Sequence, residues 1–260
     1  NTSINLRPLE DSNISEHANL LYTSFNTWYW QHGWGKDYFD CSAQETSIFY
    51  DVYNDLTPGH SIAAFDNTTN QMLGSCFFHP REYHVSLGIM SVHPQFSGEG
   101  IGRHLVNHIL DFTKNNDFSS CRLVSSAINM DSFSLYNRAG FIPRVCYQDM
   151  VINLPQGVVN HEKFNTEKYV RDAAPSDISH MGELEMEISN IKREIDYRYA
   201  IENPRRILHA SVYENDQKIA LKGNRQDPIE YDIKVKRNDE NIDFIFRGIN
   251  ETDVVVVGNI

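Results

Sequence analysis

The stretch Leu87-Gly-Ile-Met-Ser-Val-His-Pro-Gln-Phe-Ser-Gly-Glu-Gly-Ile-Gly-Arg-His-Leu-Val106 decides how this chain folds. His84–Val92 is rich in β-formers and reads as a strand. Pro94 has no N–H and cannot extend that strand within a ladder. Gly98, Gly100 and Gly102 then open a helix, Gly102–Lys114, in which Leu105, Val106, Ile109, Leu110 and Thr113 share one face. The first N–H groups of a helix have no partner inside it, and the positive end of its dipole favours an anion. Glycines let that backbone approach phosphate oxygens closely. The stretch therefore suits a bound pyrophosphate. Plain turn chemistry is one alternative. A dinucleotide-binding loop is another, but its third glycine would come one place later than Gly102. No leading β-α-β unit with an acidic second strand end accompanies the glycines either.

Working outward, Ile4–Arg7 reads as a strand and Asn13–Trp30 as a helix, with Asp11 and Ser12 as cap residues. Ser61–Phe65 and Met72–Phe78 are strand candidates around the turn-rich Asp66–Asn70. Beyond the glycine stretch, Cys121–Ser126 reads as a strand, Ser132–Ala139 as a short helix stopped at Gly140, and Phe141–Ile152 as one or two strands. That order implies a mixed sheet with helices packed against it, an α/β (α+β) fold.

Residues 156–167 read as a linker, being polar, aperiodic and broken by Gly and Asn. A similar opening then recurs: Tyr169-Val-Arg171, Ile178-Ser179 and Leu184 repeat the spacing of Leu6-Arg7, Ile14-Ser15 and Leu20. An internal repeat and two independent strand-then-helix openings both fit. Leu184–Asn203 is expected to be helical and Leu208–Tyr213 a strand, while Ile229–Val235, Ile242–Phe246 and Val254–Val257 read as a β-meander. The organisation expected is a domain over 1–155, a linker over 156–167 and a smaller α+β unit over 168–260.

The 260 residues, 40% of them hydrophobic, suffice for one large or two ordinary cores. A net charge of −12 argues against nucleic-acid binding, which needs clustered Lys and Arg. It is compatible with a cationic substrate and equally with simple solubility. Cys41, Cys76, Cys121 and Cys146 form no C-x-x-C pair, so no metal site is signalled. Buried, reduced thiols are expected, pointing to the cytoplasm. No apolar run is long enough for a bilayer, so no membrane partner is expected.

Val92-His-Pro94 followed by Gly98-Glu-Gly100-Ile-Gly102 resembles the coenzyme A loop of the GNAT N-acetyltransferases. That family's pattern is Gln/Arg-x-x-Gly-x-Gly/Ala, usually just after Val-x-Pro. Anchoring on Val92 and Pro94 puts Ser97 in the Gln/Arg place, a departure that should weaken one contact. Placing Gln95 there instead restores the pattern but breaks the spacing from Val-x-Pro, so the first register is preferred. Asn129-Met-Asp-Ser132-Phe-Ser-Leu-Tyr136-Asn-Arg138-Ala-Gly140-Phe141 resembles a second family stretch, Asn-x-x-Ala-x-x-x-Tyr-x-Lys-x-Gly-Phe. Ser132 and Arg138 are mild departures. The resemblance covers about Ile4–Leu154.

The resemblance implies a mainly antiparallel mixed sheet flanked by helices, and transfer of an acyl group from acetyl-CoA, the co-substrate, to an amine. Pantetheine would pair with the backbone of Met90, Ser91 and Val92. The pyrophosphate would lie on Ser97, Gly98, Glu99, Gly100, Ile101, Gly102 and Arg103. Asn129 and Ser132 would add contacts, and Tyr136 would protonate the departing sulfur. Many family members carry Glu or Asp shortly before Val-x-Pro, where this chain has Gly88 and Ile89. Glu82, His84 and His93 are the nearest candidate bases, and a water chain is the alternative to them. By period-two alternation His84 shares a face with Ser86, Gly88 and Met90. The aromatic run Ser24–Trp34 is either a wall of the acceptor pocket or a core or dimer contact.

The acceptor expected is a small-molecule or peptide amine. The second unit would be an incomplete or degenerate relative of the first, lacking a coenzyme A loop. A homodimer and an intramolecular pseudo-dimer both fit. The rival reading is a catalytically silent coenzyme A-binding regulatory or scaffolding module.

Overall fold

Ser61–Asp66 and Met72–Pro80 are apolar and buried almost throughout, as strands covered on both faces must be. They form the centre of the first unit in the computed structural model, which describes residues 3–126, 128–144, 170–208, 210–213, 228–237 and 240–250. Between these strands, Asp66 Oδ1 accepts the N–H groups of Thr68 and Thr69, both at 2.8 Å, and Asn70 takes a left-handed conformation that closes the hairpin.

The sheet runs β1(Ile4–Arg7), β2(Ser61–Asp66), β3(Met72–Pro80), β4(His84–Val92) and β5(Ser120–Arg122), each paired with the next. The first three pairings are antiparallel and β4–β5 is parallel. A parallel pair needs a crossover connection. Here it is α3(Ile101–Asn115). Helices α1(Ile14–Gln31) and α2(Ile48–Leu56) share one core with the sheet, where Leu20 and Tyr50 meet Ala63, Phe65, Met72 and Phe77. In the other core, Leu105, Val106 and Ile109 of α3 and Tyr136 of α4(Met130–Arg138) meet Leu73, Cys76, Phe78, Val85 and Leu87. Each fully buried Leu or Ile there contributes about 1.5–3 kcal/mol. Gly140, with φ 96°, ends α4, and Phe141 N–H donates back to Tyr136 O at 3.0 Å.

Two irregularities of the sheet bear on the site. Cys76 pairs with Met90 but Phe78 with Leu87, so Gly88 and Ile89 together oppose Phe77 in a β-bulge on β4. This overturns the expected alternation. Met90 packs against the α3 cluster, whereas His84 and Gly88 stay on the α1/α2 face, His84 Nε2 lying 3.1 Å from Ser86 Oγ. The second irregularity is the length of β5, three residues where a strand to Ser126 was expected.

Other departures have local causes. A 3-10 turn, Asp11–Asn13, precedes α1, and Asn13 rather than Asp11 or Ser12 is the cap residue. Helix α2 has no counterpart in the sequence reading. Cys41 is exposed where burial was expected, while Cys76 is buried and Cys121 half-buried. No helix of the described residues is long and apolar enough to cross a membrane. Residues 141–144 carry no strand, and the rest of the strand expected at Phe141–Ile152 lies outside the described residues, as do Cys146 and the linker at 156–167.

Contacts divide the chain into Asn1–Arg144 and Val145–Ile260. Within the second unit, β6(Val170–Asp172) and β7(Ser211–Tyr213) pair antiparallel. Helices α5(Ile178–Ser189) and α6(Glu194–Glu202) contribute Ile178, Met181 and Tyr197 to a small core with Val212. The single helix expected over Leu184–Asn203 is thus broken, at Asn190, which is left-handed (φ 53°). Arg171 grips Asp177 through two hydrogen bonds of 2.7 and 2.9 Å. That grip, with the Ala174 N–H, holds the carboxyl below the usual carboxylate range. The cap of the first unit recurs: Glu10 N–H donates to Asn13 Oδ1 before Ile14, and Ala174 N–H to Asp177 Oδ2 before Ile178. β8(Pro228–Arg237) and β9(Glu240–Asn250) form an antiparallel hairpin, and Val254–Val257 lies outside the described residues.

Candidate active site

β4 is paired with β5 only at His84, Val85 and Ser86, opposite Ser120, Cys121 and Arg122. From Leu87 to Val92 no described strand takes that edge of β4. Among the described residues that edge has no strand partner, though Val92 O accepts from Ser24 Oγ, and its backbone N–H and C=O groups form a template for another extended chain. Met90, Ser91 and Val92 lie on this open stretch, which ends at the glycine loop.

The loop begins with a 3-10 turn, Pro94–Phe96. The His93 N–H bonds Leu73 O at 2.8 Å, and its ring nitrogen Nδ1 accepts the Gln95 N–H at 3.3 Å, so His93 serves the turn. The N–H groups of Ser97 and Glu99 are used within the turn, bonding Pro94 O and Phe96 O. Gly98 (φ 83°) and Gly100 (φ 87°) are left-handed, and no atom stands within 4 Å of where a Gly98 β-carbon would be. Gly100 caps α3, and His104 is the first residue to bond back, to Gly100 O at 3.1 Å. The N–H groups of Ile101, Gly102 and Arg103 therefore precede the helical ladder. Arg103 folds back so that its Nη2 would lie 3.5 Å from a Gly100 β-carbon. The third glycine serves packing instead: a β-carbon on Gly102 would meet Leu135 Cδ2 at 3.1 Å and Val92 Cγ2 at 3.7 Å.

Helix α4 starts at Asn129, whose Oδ1 accepts the Ser132 N–H at 3.0 Å, which occupies both residues in the cap. Tyr136, one turn on, is buried among Cys76, Val85 and Leu87, its ring edge-on to Phe141. Burial pushes its phenol well above the ordinary value, and the neighbouring Cys76 adds to the effect. Cys76 is the register partner of Met90, so Tyr136 approaches β4 on the α3/α4 side of the open stretch.

Of the candidate bases, Glu82 is exposed in the β3–β4 turn, at the far end of β4 from the loop. His84 is buried beside Ser86, where β4 is still paired with β5. The aromatic run mostly packs on itself: Trp28 stacks on His32 and Tyr29 on Tyr38, and Trp30 Nε1 donates to Asp37 at 2.6 Å. Ser24 Oγ reaches Val92 O at 3.1 Å and ties the run to the end of β4.

One residue at the bulge escaped the sequence reading. His79 of β3 is 4% exposed, and its Nδ1 is 2.5 Å from Thr57 Oγ1. Its Nε2 lies over Gly88, where it would be 2.9 Å from a β-carbon, and has no hydrogen-bond partner among the described residues. Burial, with Arg81 and His60 nearby, lowers its pKa to about 3. Only the period-two pattern of β3 could have placed it on the face of Ser75 and Phe77; nothing in sequence joins it to Gly88.

Residues 20–141 match the sequence model of the acetyltransferase (GNAT) family. The matched stretch lies within the first unit, Asn1–Arg144. Among solved structures, a putative acetyltransferase from Pyrococcus horikoshii superposes with a TM-score of 0.58 at 14% identity, over 81% of this chain and 65% of its own. That likeness shows the fold. The PaiA N-acetyltransferase of Thermoplasma acidophilum, solved with coenzyme A, gives a TM-score of 0.45 at 18% identity over 54% of this chain and 90% of its own. A GNAT family acetyltransferase from Brucella melitensis, solved with acetyl-CoA, gives 0.41 at 22% identity over 61% and 95%. No curated protein matches the sequence.

Proposed function

We propose that this chain is an N-acyltransferase that moves the acetyl group of acetyl-CoA to a primary amine by direct attack on the thioester. The observation that carries the reading is the edge of β4 from Leu87 to Val92, which no described strand completes, leading into a glycine loop whose helix-start N–H groups precede the helical ladder. The backbone of Met90, Ser91 and Val92 would pair with the amide-bearing pantetheine arm as an added strand does. Gly98, Gly100 and the N–H groups of Ile101, Gly102 and Arg103 would hold the pyrophosphate, with the Arg103 cation beside them. A backbone N–H of the open stretch would polarise the thioester carbonyl. Tyr136, kept protonated by burial, would give its proton to the departing sulfur.

Gly88 in the place where many family members carry a carboxylate favours the second reading, a coenzyme A-binding module without catalysis. Thiol release from acetyl-CoA with a panel of primary amines separates the two, with binding measured by calorimetry. Turnover that falls in Tyr136→Phe supports the enzyme. Tight coenzyme A binding with no turnover supports the module, and no binding overturns both.

The repeated strand, 3-10 turn and cap in the second unit support reading it as a degenerate relative of the first. The free thiols of Cys41, Cys76 and Cys121 suit a cytoplasmic setting.

A further inference from the structure

Two neutral groups of α1 hold the carboxylate of Asp37, on the loop that follows the helix. The Trp30 indole N–H donates to Oδ1 at 2.6 Å and the Tyr22 hydroxyl to Oδ2 at 3.3 Å. Among the described residues no cation pairs with Asp37, so its charge is oriented but not cancelled. Buried Asn26 fixes the loop against the helix, its Oδ1 accepting the N–H groups of Tyr38 and Phe39 at 2.9 and 3.0 Å. A cavity of about 420 Å³ lies between them, lined by Thr23, Thr27 and Gln31 and by Tyr22, Trp30 and Asp37. That volume suits a small ligand.

We propose that this pocket binds an alkylammonium group, and that the acceptor of the acyl transfer carries two amines, one held here as a cation and the other presented to the thioester. The second half rests on the acyltransferase reading above; the cation site does not. Three observations carry the site. Its one charged lining group is a carboxylate that already has its neutral donors and still lacks a cation. Trp30, Trp34 and Tyr38 are each about half exposed around this end of α1, and such rings attract cations and cover alkyl chains. Residues 32–60 carry five carboxylates and one lysine, with no arginine, so the local field also favours a cation.

The pocket also adjoins the proposed transfer site. Thr27 and Gln31 lie one and two turns beyond Ser24 on neighbouring positions of α1, and Ser24 Oγ reaches Val92 O at the end of β4. Gln31 is about 10 Å along the helix from that contact. An amine of ordinary basicity arrives as an ammonium ion at pH 7, whereas attack on the thioester needs a neutral nitrogen. One nitrogen cannot be both, so a cation site beside this reaction calls for a second. In the transfer the second nitrogen bonds the acetyl carbon and the carbon–sulfur bond breaks. The proton that nitrogen loses balances the one sulfur gains, and the ammonium at Asp37 keeps its own.

The test uses the full chain. All three of its tryptophans, Trp28, Trp30 and Trp34, lie in or just past the end of α1, so intrinsic fluorescence reads the pocket without acetyl-CoA or turnover. The probes are 1,4-diaminobutane, 1,8-diaminooctane and a short peptide with lysine beside its free amino terminus. At least one is expected to give a saturable change that weakens with salt. Saturation by a diamine assigns the cation to a free amine, and saturation by the peptide alone assigns it to a lysine side chain. Asp37→Asn keeps an oxygen that can accept from Trp30, and should weaken the tightest probe about tenfold without lowering the melting temperature. No saturable change with any probe, or equal affinity in a folded Asp37→Asn variant, overturns the site. In turnover, kcat/KM for the better diamine relative to the monoamine of the same length should fall about tenfold in Asp37→Asn. An unchanged ratio overturns the two-amine acceptor. Saturable binding with no turnover of any amine by the parent chain overturns the acyltransferase reading and the acceptor role, and leaves the cation site standing.

Discussion

Gly102 of α3 and Leu135 of α4 meet so closely that a β-carbon on the glycine would stand 3.1 Å from Leu135 Cδ2. The contact seats α4, and with it Tyr136, against the helix that opens at the glycine loop. Gly102→Val should therefore destabilise the first unit by about 1–3 kcal/mol through overpacking. Leu135→Ala in the same chain should recover part of that loss. A double-mutant cycle from urea melts measures the coupling, and additive single effects would refute the contact.

Gly98 and Gly100 fail differently when replaced. Both are left-handed, Gly98 beside open space and Gly100 with only Arg103 Nη2 in ordinary contact at 3.5 Å, so a side chain costs backbone strain of about 1–2 kcal/mol rather than a clash. Gly100→Val should weaken coenzyme A binding by about tenfold, the equivalent of 1.4 kcal/mol, by pulling the cap out of line. Calorimetry against coenzyme A reads this directly. Equal affinity in the variant would mean that the loop holds no pyrophosphate.

Tyr136→Phe removes a hydroxyl and little volume. Coenzyme A affinity and melting temperature should hold, while kcat falls by about 100-fold. An acid works while protonated, and burial raises the Tyr136 pKa above its ordinary value of 10.0. The proton-donating form therefore persists as pH rises through 10, so this residue should contribute no alkaline loss of rate below that point. A pH profile of kcat checks the sign.

His17 is wholly buried against Phe77 and Tyr50, neither ring nitrogen having a partner among the described residues. Desolvation lowers its pKa from 6.5 to about 4. The unfolded chain thus binds more protons between those values, and stability present above pH 6.5 is lost as pH falls towards 4. The loss should be about 3 kcal/mol by linkage. His17→Phe should flatten that part of the acid limb in denaturant melts from pH 7 to 4, and an unchanged limb would sink the account.

The glycine stretch and the motif at Asn129–Phe141 made the first unit legible, because strand end, proline, glycines and amphipathic helix are consecutive. Local chemistry also announced the stop at Gly140. The bulge at Gly88–Ile89 was invisible, since it depends on how Phe77 of another strand pairs with β4. Strict alternation therefore put Met90 on the wrong face. His79 was hidden for the same reason, its relation to Gly88 being cross-strand. The break at Asn190 shows the opposite failure, a periodic segment that a left-handed residue divides into two helices.

The edge of β4 that no described strand completes bears on how the protein behaves in solution. A strand with one bare side can be completed by any extended chain, including another copy of itself. A ligand that completes the ladder is in effect part of the sheet, and at a concentration a hundred times its dissociation constant it would add about 2.7 kcal/mol to stability. The concentration of free ligand would then set solubility as well as turnover: a starved sample should aggregate on warming, and a saturated one should melt without clumping.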